Sequence, residues 1–112
     1  MPLSSYLFRG VPALEACLVD DAAHVTPGAR GDHVRLIQRA LVWNGDRSIP
    51  TQEYLSGTYG PGTAAAVLKY KRERRIINFS YQTQADDIVG KMTIAALDRD
   101  AAMKERSETL RA

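Results

Sequence analysis

Cysteine is almost absent from this chain: Cys17 is the only one in 112 residues, so no internal disulfide can form and the fold must stand on packing alone. Its neighbours Ala16, Leu18 and Val19 are apolar, which suits a buried structural thiol better than a reactive one. Long hydrophobic runs are missing as well. No stretch approaches the roughly 18 apolar residues of a membrane span, so no membrane partner is expected. The segment from Met1 to Val11 is interrupted by Arg9 and Gly10, with Pro12 next, and lacks the basic-then-apolar layout of a secretory signal. The expectation is a cytoplasmic product that reaches a periplasm only by a signal-independent route. Charge of one sign is scarce too. Fifteen basic against 13 acidic residues leave a net +2, too small a sum to argue for nucleic acid.

Catalytic constellations are equally thin. His24 and His33 are the only histidines, and no HxH, HExxH or CxxC spacing is present, so neither a metal nor another cofactor is expected. No serine or cysteine sits in a recognisable nucleophile elbow. The paired carboxylates Asp20-Asp21 and Asp86-Asp87 fall in turn-like stretches where Asp serves the backbone. The chain is expected not to be an enzyme.

What the chain does contain is a repeated helix start. Gly60-Pro61-Gly62-Thr63-Ala64-Ala65-Ala66-Val67 returns as Gly90-Lys91-Met92-Thr93-Ile94-Ala95-Ala96-Leu97, with Gly, Thr and Ala at matching offsets. Gly60 can lie just outside a helix, Pro61 fits the first helical position, and the Thr63 hydroxyl can satisfy an orphan polar group nearby. Lys91 replaces Pro61 in the second copy. Alanines let helix axes approach, so two Ala-faced helices clasping each other form the expected centre.

The remaining pattern is helical. Pro12 can open a short helix over Ala13–Leu18, and Val25-Thr26-Pro27 should run extended because Pro27 disfavours helix at Thr26. Asp32 is read as the N-cap of a helix through Trp43, with Val34, Ile37 and Leu41 inward, Arg35 and Arg39 towards solvent, and Asn44-Gly45 as its stop. Residues 46–59 read as a long loop, Ile76–Tyr81 as an extended segment, and 82–87 as a second polar loop. After Ala101 the apolar pattern fades, which reads as a polar helical or fraying tail. The fold class expected is all-α: a compact three-helix bundle with a pseudo-repeat, long loops and a short N-terminal helical strap. The parts are a strap over 1–27, a domain over 28–100 and a tail over 101–112.

Three ordered blocks carry a family resemblance: Gly28-x-x-Gly31-x-x-Val34-x-x-Ile37-Gln38-x-x-Leu41, then Tyr59-Gly60-Pro61-x-Thr63-x-x-Ala66-Val67-x-x-Tyr70, then Asp86-x-Ile88-Val89-Gly90-x-x-Thr93-x-x-x-Leu97. Over about residues 25–98 the chain resembles the peptidoglycan-binding-like domain, a three-helix module with a pseudo-repeat that is appended to bacterial cell-wall hydrolases. Lys71 stands where that family usually has Gln, and Asp87 where it has Gly. A related metalloprotease propeptide carries a cysteine switch, which is not present around Cys17. The resemblance implies a non-catalytic module that binds cell-wall glycan or its stem peptide and positions a partner.

Candidate contacts follow from chemistry. Lys69, Lys71, Arg72, Arg74 and Arg75 form the most charged stretch, and Lys71, Arg72 and Arg75 suit the free carboxylates of wall peptides. Tyr54 and Tyr81, in polar stretches, suit stacking on sugar rings, whereas Trp43 and Tyr59 read as core. Asp86 and Asp87 complete the candidate set. A protein-interaction adaptor or effector-targeting domain of a contractile injection system is the alternative, and nucleic-acid binding by the basic helix is a disfavoured third.

Overall fold

A computed structural model describes residues 2–76 and 86–111, with side chains through residue 109. Its regular elements are helical: α1 (Pro12–Val19), a 3-10 turn (Asp21–Ala23), α2 (Asp32–Trp43), α3 (Thr51–Ser56), α4 (Pro61–Arg74) and α5 (Lys91–Arg111). The only β pairing among the described residues is two isolated antiparallel bridges. The protein is all-α.

Local chemistry accounts for most element boundaries. Pro12 and Pro61 open α1 and α4 at positions where the missing N–H costs nothing. Asp32 is the first residue inside α2 rather than its cap. Gly31 takes the cap position with φ 135°, a backbone angle that glycine adopts freely, and the Asp32 carboxylate pairs with Arg35 instead. The expected long loop contains α3, entered after Pro50 and left through Gly57 in the left-handed conformation. Helix α4 also ends on a left-handed residue, Arg75 at φ 56°. No other non-glycine among the described residues has positive φ, so Asp87 carries no left-handed strain.

The packing departs from the expected pair of Ala-faced helices. Helix α5 lies closest to α1 and α2, and α2 also carries α3 and α4. Long side chains join α4 to α5: the Tyr70 hydroxyl donates to Asp100 at 2.6 Å, and Arg74 pairs with Asp100 at 2.7 Å. A stripe of small residues permits a close approach without choosing the partner. The larger stripe of α2, with Val34, Ile37 and Leu41 buried, takes the central place.

The N-terminal strap belongs to the core. Phe8, Leu14 and Cys17 are fully buried, and each large apolar side chain so placed contributes about 1.5–3 kcal/mol. A helix as short as α1 has no stability alone, so this burial holds it. Carboxylates pin the segment before it. Asp98 accepts from Ser4 N at 2.9 Å and Ser5 N at 2.8 Å, Glu105 from Tyr6 N and Leu7 N, and Glu15 from Leu3 N and Gly10 N. The polar stretch after Ala101 is a continuous part of α5 to Arg111, and Glu105 gives it a structural task.

The repeat reappears in the hydrogen bonding of residues 25–31. Val25 and Val89 exchange both backbone bonds at 2.9 Å, while Gly28 N donates to Tyr59 O and Tyr59 N to Ala29 O. Tyr59 precedes Gly60 as Val89 precedes Gly90. One extended segment thus lies between the two helix starts and holds each by its backbone.

Candidate binding cleft

The two copies of the helix start differ in what faces them. In the first, Glu53 reaches over from α3 and accepts from Gly62 N at 2.9 Å, Thr63 N at 2.8 Å and Thr63 Oγ1 at 2.7 Å. Gln38, fully buried on α2, donates to Thr63 Oγ1 at 2.9 Å and to Thr58 O at 3.0 Å. Burial alone would raise the Glu53 carboxyl, but the bonds from Thr63, Gly62 and Gly60 outweigh it and hold the group below its ordinary value. The chain closes its first helix start with its own carboxylate.

At the second copy the His24 ring packs against Gly90, close enough that a Cβ on Gly90 would lie 3.1 Å from it. Beyond it opens a cleft of about 420 Å³, lined among others by Asp21, His24, Lys71, Asp86, Lys91 and Met92. Opposite charges alternate around its wall. Lys71, whose side chain is only 7% exposed, pairs with Asp86 and donates to Ile88 O at 2.8 Å. Lys91 pairs with Asp21 at 3.2 Å, and His24 Nε2 lies 3.3 Å from the same carboxylate. The hydrogen bond from Lys91, then its charge, holds the Asp21 carboxyl below its usual range.

A second cleft of about 390 Å³ adjoins the first, since Ile76 and Met92 line both, and Arg74, Arg75 and Arg99 line its far side. Arg74 is committed to Asp100 and lies over the Tyr70 ring at 5.3 Å. Burial, followed by the Asp100 hydrogen bond and charge, raises the Tyr70 phenol, so that hydroxyl stays a donor.

The sequence-predicted residues do not gather in one place. Lys71 and Asp86 reach the first cleft as partners of each other, and Arg75 reaches the second. Arg72 is exposed on α4 and lines neither. Tyr54 belongs to α3, where its hydroxyl accepts from Arg39 at 2.8 Å and its carbonyl from Arg35 at 3.1 Å. Arg35 is thereby tied to α3 rather than left in solvent. The backbone carbonyl of Asp87 accepts from the buried Tyr59 hydroxyl, which bridges the two copies. Tyr81 lies outside the described residues. Sequence reasoning missed His24, Lys91, Met92 and Arg99. The replacement of Pro61 by Lys91 was the available signal for one of them, and the spacing of Met92 and Arg99 on one helix was the signal for two more.

Among the described residues no group of three or more metal-ligating side chains converges, and no helix is long and apolar enough to cross a membrane. What the clefts offer is charges of both signs beside methionine and isoleucine. Neither a family model, nor a curated protein, nor a solved structure matches this chain.

Proposed function

We propose that this protein is a non-catalytic module that binds bacterial cell-wall peptidoglycan and positions an attached or associated partner. On this reading α2, α4 and α5 are the three helices of a peptidoglycan-binding-like unit over residues 28–100, and the first cleft is its wall site. One observation carries it: the Lys71–Asp86 and Lys91–Asp21 pairs line one cleft beside Met92. Stem peptides present free carboxylates and amines on short apolar side chains, and a wall of alternating charge complements both. Lys91 contacts carboxylate, Asp21 contacts amine, the His24 ring shapes the wall beside them, and the Lys71–Asp86 pair holds it in place. Tyr54 and Arg72, outside both clefts, add secondary contacts to glycan.

A few such contacts supply on the order of 4 to 8 kcal/mol, a micromolar to millimolar affinity. Retention on a wall then depends on many sites along the polymer. The test is NMR titration with a soluble muropeptide that keeps its stem peptide. Amide shifts centred on Lys91, Met92 and Thr93, abolished by Lys91→Glu with His24→Ala, support the site. Shifts centred on α3, or none at all, refute it. The adaptor reading is favoured by a separate feature, the exposed Met92 and Met103 of α5 with Arg75 and Arg99 nearby.

A further inference from the structure

Helix α5 presents two exposed methionines on one side, flanking a buried Ala96. Met92 and Met103 are 55% and 64% exposed, and with Ala96 and Arg99 they recur at i, i+4, i+7 and i+11, which places them along one side of the helix. The second cleft borders this side with Arg75 and Ile76. Arg74 has its carboxylate in Asp100, whereas Arg75 and Arg99 have no ion pair among the described residues. The surface is therefore two exposed methionines about three turns apart, with guanidiniums that have no ion pair among the described residues between and beside them.

We infer that this face docks an acidic amphipathic helix of a partner protein. The partner's apolar stripe lies on Met92 and Met103, and its carboxylates meet Arg75 and Arg99. Charge complementarity selects the acid, since a guanidinium fork binds a carboxylate through two parallel bonds. The methionines select a helix with an apolar stripe, because unbranched thioethers mould to a partner's side chains. A nucleic acid would meet the arginines and leave the methionines in water. Single-strand binding also calls for exposed stacking aromatics, and Tyr70, beside Arg74, is buried. The surface shares Met92 and Ile76 with the wall cleft but not Lys91 or His24, so substitutions at Arg75, Arg99 and Met103 tell the two apart.

The test is fluorescence anisotropy with a fluorescein-labelled synthetic helix carrying leucine at i, i+4, i+7 and i+11 and flanking glutamates. The comparison probes are its lysine-for-glutamate version, poly-glutamate of equal charge and a single-stranded oligonucleotide. The leucine–glutamate helix is expected to bind saturably in the micromolar range and the lysine version not at all. Arg75→Asn, which keeps a residue tolerant of the left-handed conformation, combined with Arg99→Gln should weaken binding about tenfold or more. Met103→Ser should weaken it independently. Both variants involve exposed side chains, and unchanged far-UV circular dichroism and unfolding midpoint confirm that the fold is intact. The inference is overturned if no saturable binding occurs, if poly-glutamate or the oligonucleotide binds as tightly, or if binding ignores these substitutions.

Discussion

Replacing Lys71 by alanine removes the ammonium that holds Asp86 and the Ile88 carbonyl, and the expected loss is about 1–3 kcal/mol in urea unfolding. Lys71→Met should cost less than Lys71→Ala, because it keeps the packing of the stem in a site where the side chain is almost covered. Equal losses would show that the ion pair, not the stem, dominates. Cys17 gives a chemical check at the same scale. Its thiol donates to Val89 O at 3.3 Å, and burial, partly offset by the Val25 backbone, pushes its pKa up to about 11. Folded protein at mildly alkaline pH should resist iodoacetamide and react once unfolded; ready labelling of the folded chain would contradict the burial. The buried thiol was legible from Cys17's apolar neighbours. The inward turn of Lys71 was not, since a lysine in a basic run gives no hint that an acid beyond residue 85 will meet it.

Carboxylates that cap and clip the elements set the response to acid. Glu53 at the start of α4 and Asp98 beneath the N-terminal strap are both held below their ordinary values of 4.5 and 3.8, in each case because hydrogen bonds outweigh the effect of burial. A lowered folded value means stability that is present above the unfolded value and lost as pH falls through the folded one. Urea unfolding should therefore give a plateau above about pH 5 and a decline in more acid solution. Asp98→Asn should cost about 1.5–3 kcal/mol and flatten part of that decline, while an unaltered pH profile would remove Asp98 from the account. Gly62 supplies a sharper case. Helix propensity alone favours Gly62→Ala by up to about 1 kcal/mol, yet the new Cβ would overlap the Pro50 ring, so the substitution should lower the unfolding midpoint. Gly90→Ala meets only the edge of the His24 ring and should do less harm. The helix starts at Pro12 and Pro61 were readable because proline acts locally. Helix α3 was not, because Thr51–Ser56 is too short to show a period and is held by Arg35 and the Glu53 cap. The choice between a helical and a fraying tail was not legible for a related reason: the late turns of α5 are held by a polar clip on the strap, not by an apolar stripe.

Across the molecule, the duplication is organised by a segment rather than by an embrace of its two helices. Residues 25–31 bond to Tyr59 on one side and Val89 on the other, and Tyr59 then spans to the Asp87 carbonyl. The offsets of Gly, Thr and Ala disclosed the repeat, while alanine spacing could not say that α2 would stand at the centre. The repeat also explains why the proposed wall site lies at only one of two similar helix starts: Glu53 closes the first, and the second opens on a cleft of paired charges. Lys71 and Asp86 belonged to the expected contact set, but the residues that give this cleft its exposed charge, Asp21 and Lys91, come together with the His24 ring only through folding. Co-sedimentation with purified sacculi tests this most directly, with the intact chain, the Lys91→Glu/His24→Ala variant and the Arg75→Asn/Arg99→Gln variant side by side. The intact chain and the arginine variant should pellet and be released by salt, while the Lys91/His24 variant stays in solution; equal pelleting of all three, or pelleting of none, would contradict the account.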